Sequence, residues 1–169
     1  KTSLLGAYNL TNILAAAAIG KVFSLKSKNI ISSIENYIPS NNRSQLINSS
    51  KNTIIADCYN ANPTSTLESL ISLNLMEGIN KIAILGDMLE LGEQSHVEHQ
   101  FIVDFIVEKK LDCLLVGNCY KATKSNFNKF GNTDLLIEYL QKKNLKDHIV
   151  LLKASRGIQL EKIIKENIL

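Results

Sequence analysis

The chain has 169 residues, enough for one domain with a real core and a piece of something else. Hydrophobic residues make up 45% and charged residues 21%, the balance of a globular protein rather than a disordered or fibrous one. The net charge of +3 is mild and the lysines are scattered, so neither nucleic acid nor a membrane surface is expected as a partner.

The first 38 residues have a helical pattern. Asn9-Leu10-Thr11-Asn12-Ile13-Leu14 runs into four alanines and Ile19, which predicts a helix ending near Gly20. The apolar run Ile13 to Ile19 is too short to cross a bilayer, so no membrane insertion is expected. A second short helix is predicted from Lys28 to Tyr37, before Pro39. Polar clusters at 40–44 and 48–52 read as loops.

From Thr53 onward the pattern alternates. Strands are predicted at Thr53 to Asp57, Lys81 to Leu85, Asp112 to Val116 and His148 to Leu152. Helices are predicted from Pro63 or Thr64 to Met76, Ser95 to Lys110, Thr133 to Lys143 and Ile158 to Asn167. Alternation of this kind implies an α/β fold with an open, doubly wound, mostly parallel sheet of Rossmann-like type, preceded by a short helical segment. Ligands of such sheets sit beyond the carboxyl ends of the strands. Four polar loops fall on that rim: "DCYNANP" (57–63), "GDMLELG" (86–92), Gly117-Asn118, and "KASRG" (153–157).

Each loop has a functional and a plain reading. Asp57 can accept hydrogen bonds from a sugar diol or simply form a turn, and Asn60 and Asn62 are likewise turn formers whose density favours a site. "LGDMLELG" either presents Asp87 and Glu90 to a ligand or covers a small hydrophobic plug. In "KASRG", Arg156 offers a bidentate fork for a carboxylate or phosphate, or Ser155 merely caps a helix beside a solvated arginine. His96 and His99 lie three apart on one helix without further ligands, so no metal is expected on them. Cys58, Cys113 and Cys119 lack metal-site spacing and read as reduced thiols of a cytoplasmic protein. Neither GxxxxGK[ST] nor GxGxxG occurs, so a phosphate-gripping loop, if the chain serves ATP chemistry, lies elsewhere.

Taken together, "GAYNLTNILAA" (6–16), Arg43, "DCYNANP", "LGDMLELG" (85–92) with His99, and "KASRG" resemble the Mur ligases of peptidoglycan synthesis. The resemblance implies residues 1–39 as the terminal helices of a central ATPase domain and 40–169 as the C-terminal Rossmann-like domain. It implies an ATP-dependent amide ligase that joins D-alanyl-D-alanine to UDP-N-acetylmuramoyl-tripeptide, with magnesium bound mainly by the central domain. On this basis the protein is expected to be a monomer, and this part alone is expected to be inactive. Asn9 and Asn12 would contact the adenine, Arg43 the ATP phosphates, and Asp57 the ribose, with Asn60 and Asn62 shaping that pocket. Ser155 and Arg156 would hold the dipeptide, and Asp87, Glu90 and His99 would complete the substrate side. Tyr8 stands where several members carry histidine. Ala154 replaces the glycine of the usual "KGSR", which would disturb a backbone that needed positive φ there. Two other readings stay open: a non-catalytic nucleotide-binding module, and another ligase of the superfamily, such as folylpolyglutamate synthetase. The "YNANP" block argues against the last.

Overall fold

The computed structural model describes residues 2–4, 6 and 9–169; Tyr8 lies outside them. The chain opens with α1 (Asn9–Val22) and α2 (Ser27–Glu35). Helix α1 runs through Gly20 instead of stopping there. A Cβ at Gly20 would stand 2.9 Å from Ile30 Cδ1, so the glycine serves close packing of the two helices.

There follow β1 (Gln45–Asn48), β2 (Thr53–Asp57), α3 (Pro63–Leu75), β3 (Lys81–Gly86), α4 (Ser95–Lys109) and β4 (Asp112–Val116). The chain continues through α5 (Asn118–Lys121), β5 (Asn128–Phe130), α6 (Thr133–Lys143), β6 (Ile149–Lys153) and α7 (Lys162–Lys165). The six strands form one sheet in the order β1-β2-β6-β3-β4-β5, with β1 antiparallel and the others parallel. The expected α/β class and mostly parallel sheet are therefore present.

Alternation along the strands divides the core. Ile54, Ile82, Ile84, Leu114, Val116, Val150 and Leu152 face one side, against Leu136, Ile137 and Leu140 of α6 and Ile163 of α7. Ile55, Ala83, Leu85, Cys113, Leu115 and Leu151 face the other, against Leu70 and Leu73 of α3 and Ile102, Val103 and Ile106 of α4. A period of two that is apolar on both faces is what a strand covered by helices on each side requires.

Besides α1 and the one-turn α5, which no spacing announced, three elements differ from expectation. Strand β1 was concealed because Leu46 and Ile47 are its only apolar residues, between two polar clusters. Strand β5 has three residues, too few for a period to show. The closing helix is reduced to a 3₁₀ turn at Arg156–Ile158 and the single turn of α7, because Gln159 takes a left-handed conformation (φ 60°) between them. No helix among the described residues is long and apolar enough to cross a membrane.

Candidate functional site

Parallel pairing in register places Asp57 beside Lys153, and Leu85 on the other side of Lys153, so the three central strands end flush. Their loops line one rim. Between that rim and the α1–α2 segment lies a cavity of about 670 Å³, walled by Asn9, Asn12, Ile13, Tyr37, Pro39, Arg43, Asp57, Tyr59, Asn60, Asn62 and Lys153. All six residues expected on the nucleotide side, Asn9, Asn12, Arg43, Asp57, Asn60 and Asn62, line this one crevice. Asn12 Nδ2 donates to Asn9 Oδ1 at 3.1 Å one helical turn away.

Asp57 is the hub of the crevice floor. Its Oδ2 lies 2.7 Å from Lys153 Nζ, which also donates to the Asn60 carbonyl at 2.9 Å. Oδ1 accepts the Ser44 amide at 3.1 Å, and the Ser69 hydroxyl stands 3.2 Å from Oδ2. Lys153 is 3% exposed, so the lysine of "KASRG" is paired inside rather than reaching outward. Asn62 lines the crevice and also caps α3, accepting the Ser65 amide at 2.8 Å while its own amide donates to Ser65 Oγ at 3.2 Å. With Pro63 in the first turn, this is a local capping box, so both readings of Asn62 apply.

The second rim loop is held from within, by Asp87 and His99, two of the residues expected on the substrate side. Asp87 is buried, its Oδ2 accepting the Cys119 amide and its Oδ1 the Tyr120 amide, each at 2.9 Å. Gly117 makes room for it: at φ 115° a Cβ there would stand 2.2 Å from the Asp87 carboxyl carbon. His99 is fully buried and accepts the Met88 amide on Nε2 at 3.0 Å while Nδ1 donates to the Ser95 carbonyl at 2.6 Å. Its ring meets Tyr120 edge to face at 4.6 Å. Asp87 and His99 therefore shape the loop and present no atom to the crevice, because their polar atoms are consumed by backbone groups. Met88 is the buried plug of the plain reading, whereas Glu90 is exposed, at φ 68°.

Ser155 is likewise buried. It accepts the Leu89 amide at 2.9 Å, its hydroxyl lies 3.4 Å from the Ala61 carbonyl, and its own amide donates to the Asp87 carbonyl at 3.2 Å. One serine thus ties three rim loops together. Ala154 is fully buried with negative φ, so no glycine is needed there. Its methyl instead sets the demand for glycine at position 86, where a Cβ would lie 2.7 Å from it.

Arg156 is exposed, as a carboxylate clamp requires. Both Arg43 and Arg156 approach Tyr59, with Cζ 3.9 Å and 5.4 Å from the ring centroid. Among the described residues neither arginine forms an ion pair. The Tyr59 hydroxyl is held below its ordinary pKa, first by a hydrogen bond with Arg43 and then by the charges of both arginines. Tyr59 was not among the expected site residues, although an aromatic inside a polar strand-end loop was the available signal.

Asp87, His99 and Cys119 form the one group of metal-capable side chains found among the described residues. Backbone amides already occupy both Asp87 oxygens and His99 Nε2, so the group does not fit magnesium.

The chain is thus a doubly wound α/β domain with a crevice at the rim where its parallel strands end, the place where domains of this architecture hold their ligands. More specifically, residues 42–156 match the family model described as "Mur ligase, glutamate ligase domain", and the chain belongs to the Mur ligase family. A UDP-N-acetylmuramoyl-tripeptide–D-alanyl-D-alanine ligase of Bacillus subtilis is 31% identical over 96% of this chain and 38% of its own length. The ligase of that name from Buchnera aphidicola (subsp. Baizongia pistaciae) is 33% identical over 96% and 37%. A crystal structure of MurF from Acinetobacter baumannii superposes with a TM-score of 0.80 at 26% identity, covering 96% of this chain and 38% of that one. A MurF ligase from Thermotoga maritima in complex with ADP shares the fold, with a TM-score of 0.82 at 23% identity over 96% and 38%. The chain spans well under half the length of the curated relatives it matches.

Proposed function

We propose that this chain closes over ATP and holds the amine substrate in a cytoplasmic ligase that joins D-alanyl-D-alanine to UDP-N-acetylmuramoyl-tripeptide in peptidoglycan synthesis. Residues 1–39 then belong to the central ATPase domain and 40–169 to the C-terminal domain. The observation that carries the reading is the crevice between the two segments, where all six nucleotide-side residues meet and two arginines converge on Tyr59 in its wall. ATP phosphorylates the tripeptide carboxylate, the dipeptide amine attacks the acyl carbon, and the tetrahedral intermediate expels phosphate. Positioning and charge neutralisation supply most of the rate in such chemistry.

In this reading Asn9 and Asn12 contact the adenine. Asp57 Oδ1, which accepts one amide, keeps a lone pair for a ribose hydroxyl. Arg43 takes phosphate oxygens, Arg156 takes the dipeptide carboxylate, and the exposed Glu90 remains on the substrate side. Ser155, Asp87 and His99 hold those loops in place. Magnesium would neutralise phosphate charge when bound by the remainder of the enzyme; the group of metal-capable side chains found among the described residues does not fit it.

The test is steady-state kinetics on the full-length enzyme, varying each substrate in turn. A charge-assisted bidentate pair contributes about 1.5–3 kcal/mol and lysine cannot copy its planar fork. Arg156→Lys is therefore expected to weaken use of D-alanyl-D-alanine by up to about a hundredfold, far more than it weakens use of ATP. Unchanged dipeptide kinetics would remove Arg156 from the site.

A further inference from the structure

The crevice mouth contains an arrangement that separate phosphate and carboxylate sites do not require. Arg43 comes from the segment entering β1, Arg156 from the turn after β6, and Tyr59 from the loop after β2. Three distant parts of the chain thus bring two guanidinium groups to one phenol ring, at 3.9 Å and 5.4 Å from its centroid. Both distances fall within the roughly 6 Å over which an aromatic quadrupole attracts a cation. Carboxylates are the usual partners of converging arginines. Among the described residues neither arginine has one within ion-pair distance. The ring, 37% exposed, is thin cover for a core but a good seat for two long side chains that would otherwise lose much rotamer entropy on ordering.

We infer that Tyr59 is a positioning residue that couples the two arginines, so that an oxyanion bound by Arg43 and a carboxylate bound by Arg156 are recognised in concert. The two seats are not independent. Each cation uses the same ring, Arg43 the more closely, so drawing one guanidinium onto a ligand changes the ring's hold on the other. Coupling of this kind is reciprocal: whatever phosphate binding does for the carboxylate site, carboxylate binding does for the phosphate site. The identity of the two anions as ATP phosphate and dipeptide carboxylate rests on the ligase reading proposed above; the shared seat itself does not.

Two arms keep those apart, both on the full-length enzyme. The first needs no substrate: the Tyr59 phenol is titrated by NMR with ring-labelled tyrosine in the parent, in Arg43→Ala and in Arg156→Ala. Each substitution should move the midpoint upward, Arg43→Ala further; an unmoved midpoint in both overturns the shared seat. The second arm is kinetic. Tyr59→Leu should raise KM for ATP and for D-alanyl-D-alanine about two- to fivefold each, as loss of exposed cation–ring contacts allows, with kcat and melting temperature nearly unchanged. Tyr59→Phe, which keeps the ring, should restore most of the dipeptide KM and only part of the ATP KM. In the parent, Arg43→Lys should also raise dipeptide KM; in the Tyr59→Leu background it should not. Additive effects of the two substitutions on dipeptide KM overturn the coupling. If the parent enzyme uses neither ATP nor the dipeptide, the ligase reading falls, and the titration arm alone decides the seat.

Discussion

Asp57 and Asp87 follow parallel strands of the same sheet and stand at the same rim, yet the fold treats them in opposite ways. Asp57 is neutralised by a cation, Lys153, and its oxygens remain at the floor of an open crevice. Asp87 has no cation in hydrogen-bond contact; two backbone amides at the start of α5 hold it, in a seat kept open by Gly117. One carboxylate shapes a binding site and the other shapes the protein. The difference teaches that a strand-end aspartate is assigned by what the neighbouring strand delivers to it. Strand β6, arriving beside β2 in register, delivers an ammonium. Strand β4 leads into a glycine turn and a helix start, which deliver N–H groups.

The comparison breaks most visibly at the ion pair. Removing one partner of a buried pair leaves an uncompensated charge, which costs about 3–5 kcal/mol. Asp57→Ala is therefore expected to destabilise the chain by that amount in urea unfolding, besides weakening nucleotide binding. Replacing both partners, as in Asp57→Leu with Lys153→Met, should recover most of the stability and none of the binding. A single variant with unchanged stability would show that Lys153 finds water instead.

Asp87→Ala should come next, at about 2–4 kcal/mol, since it strands two amides that were satisfied by a charged acceptor. Here the nucleotide-side kinetics of the full-length enzyme should change less than the urea midpoint does. A pure loss of D-alanyl-D-alanine affinity with intact stability would return Asp87 to the substrate-side role that the resemblance implies.

The smallest effect uses the thiol next to Asp57. Cys58 is pushed up to about 12, chiefly by burial and then by the Glu161 and Asp57 carboxylates. An acid whose folded pKa is raised stays neutral in the fold while the unfolded chain begins to release its proton near pH 9. Its contribution to stability is thus present below pH 9 and is lost as pH rises toward 12. Stability against pH should fall less steeply through that window in Cys58→Ala than in the parent, and equal slopes would show that Cys58 ionises freely in the fold.

Much of the architecture was legible because periodicity is local. Thr53–Asp57, Asp112–Val116 and Thr133–Lys143 appear where the apolar spacing places them. The rim loops were legible for the same reason: polar and glycine residues interrupt apolar runs wherever a parallel strand ends. The roles inside those loops were not, because they depend on partners far along the chain. Lys153 reaches Asp57 across 96 positions, Ser155 reaches Leu89 across 66, and Tyr120 reaches Asp87 across 33. Nothing in "LGDMLELG" says that its aspartate points inward and its glutamate outward; the turn through Glu90 in a left-handed conformation and the amides of α5 decide that.

By itself, then, the sequence determined the alternation of strands and helices, the rim on which polar groups gather, and the residues available there, since each is a property of near neighbours and solvent preference. Tertiary structure alone decided the strand order that slots β6 between β2 and β3. That order chose which rim groups are buried against one another and which stay open, because pairing across a sheet is settled by burial and register over the whole domain rather than by any segment of it.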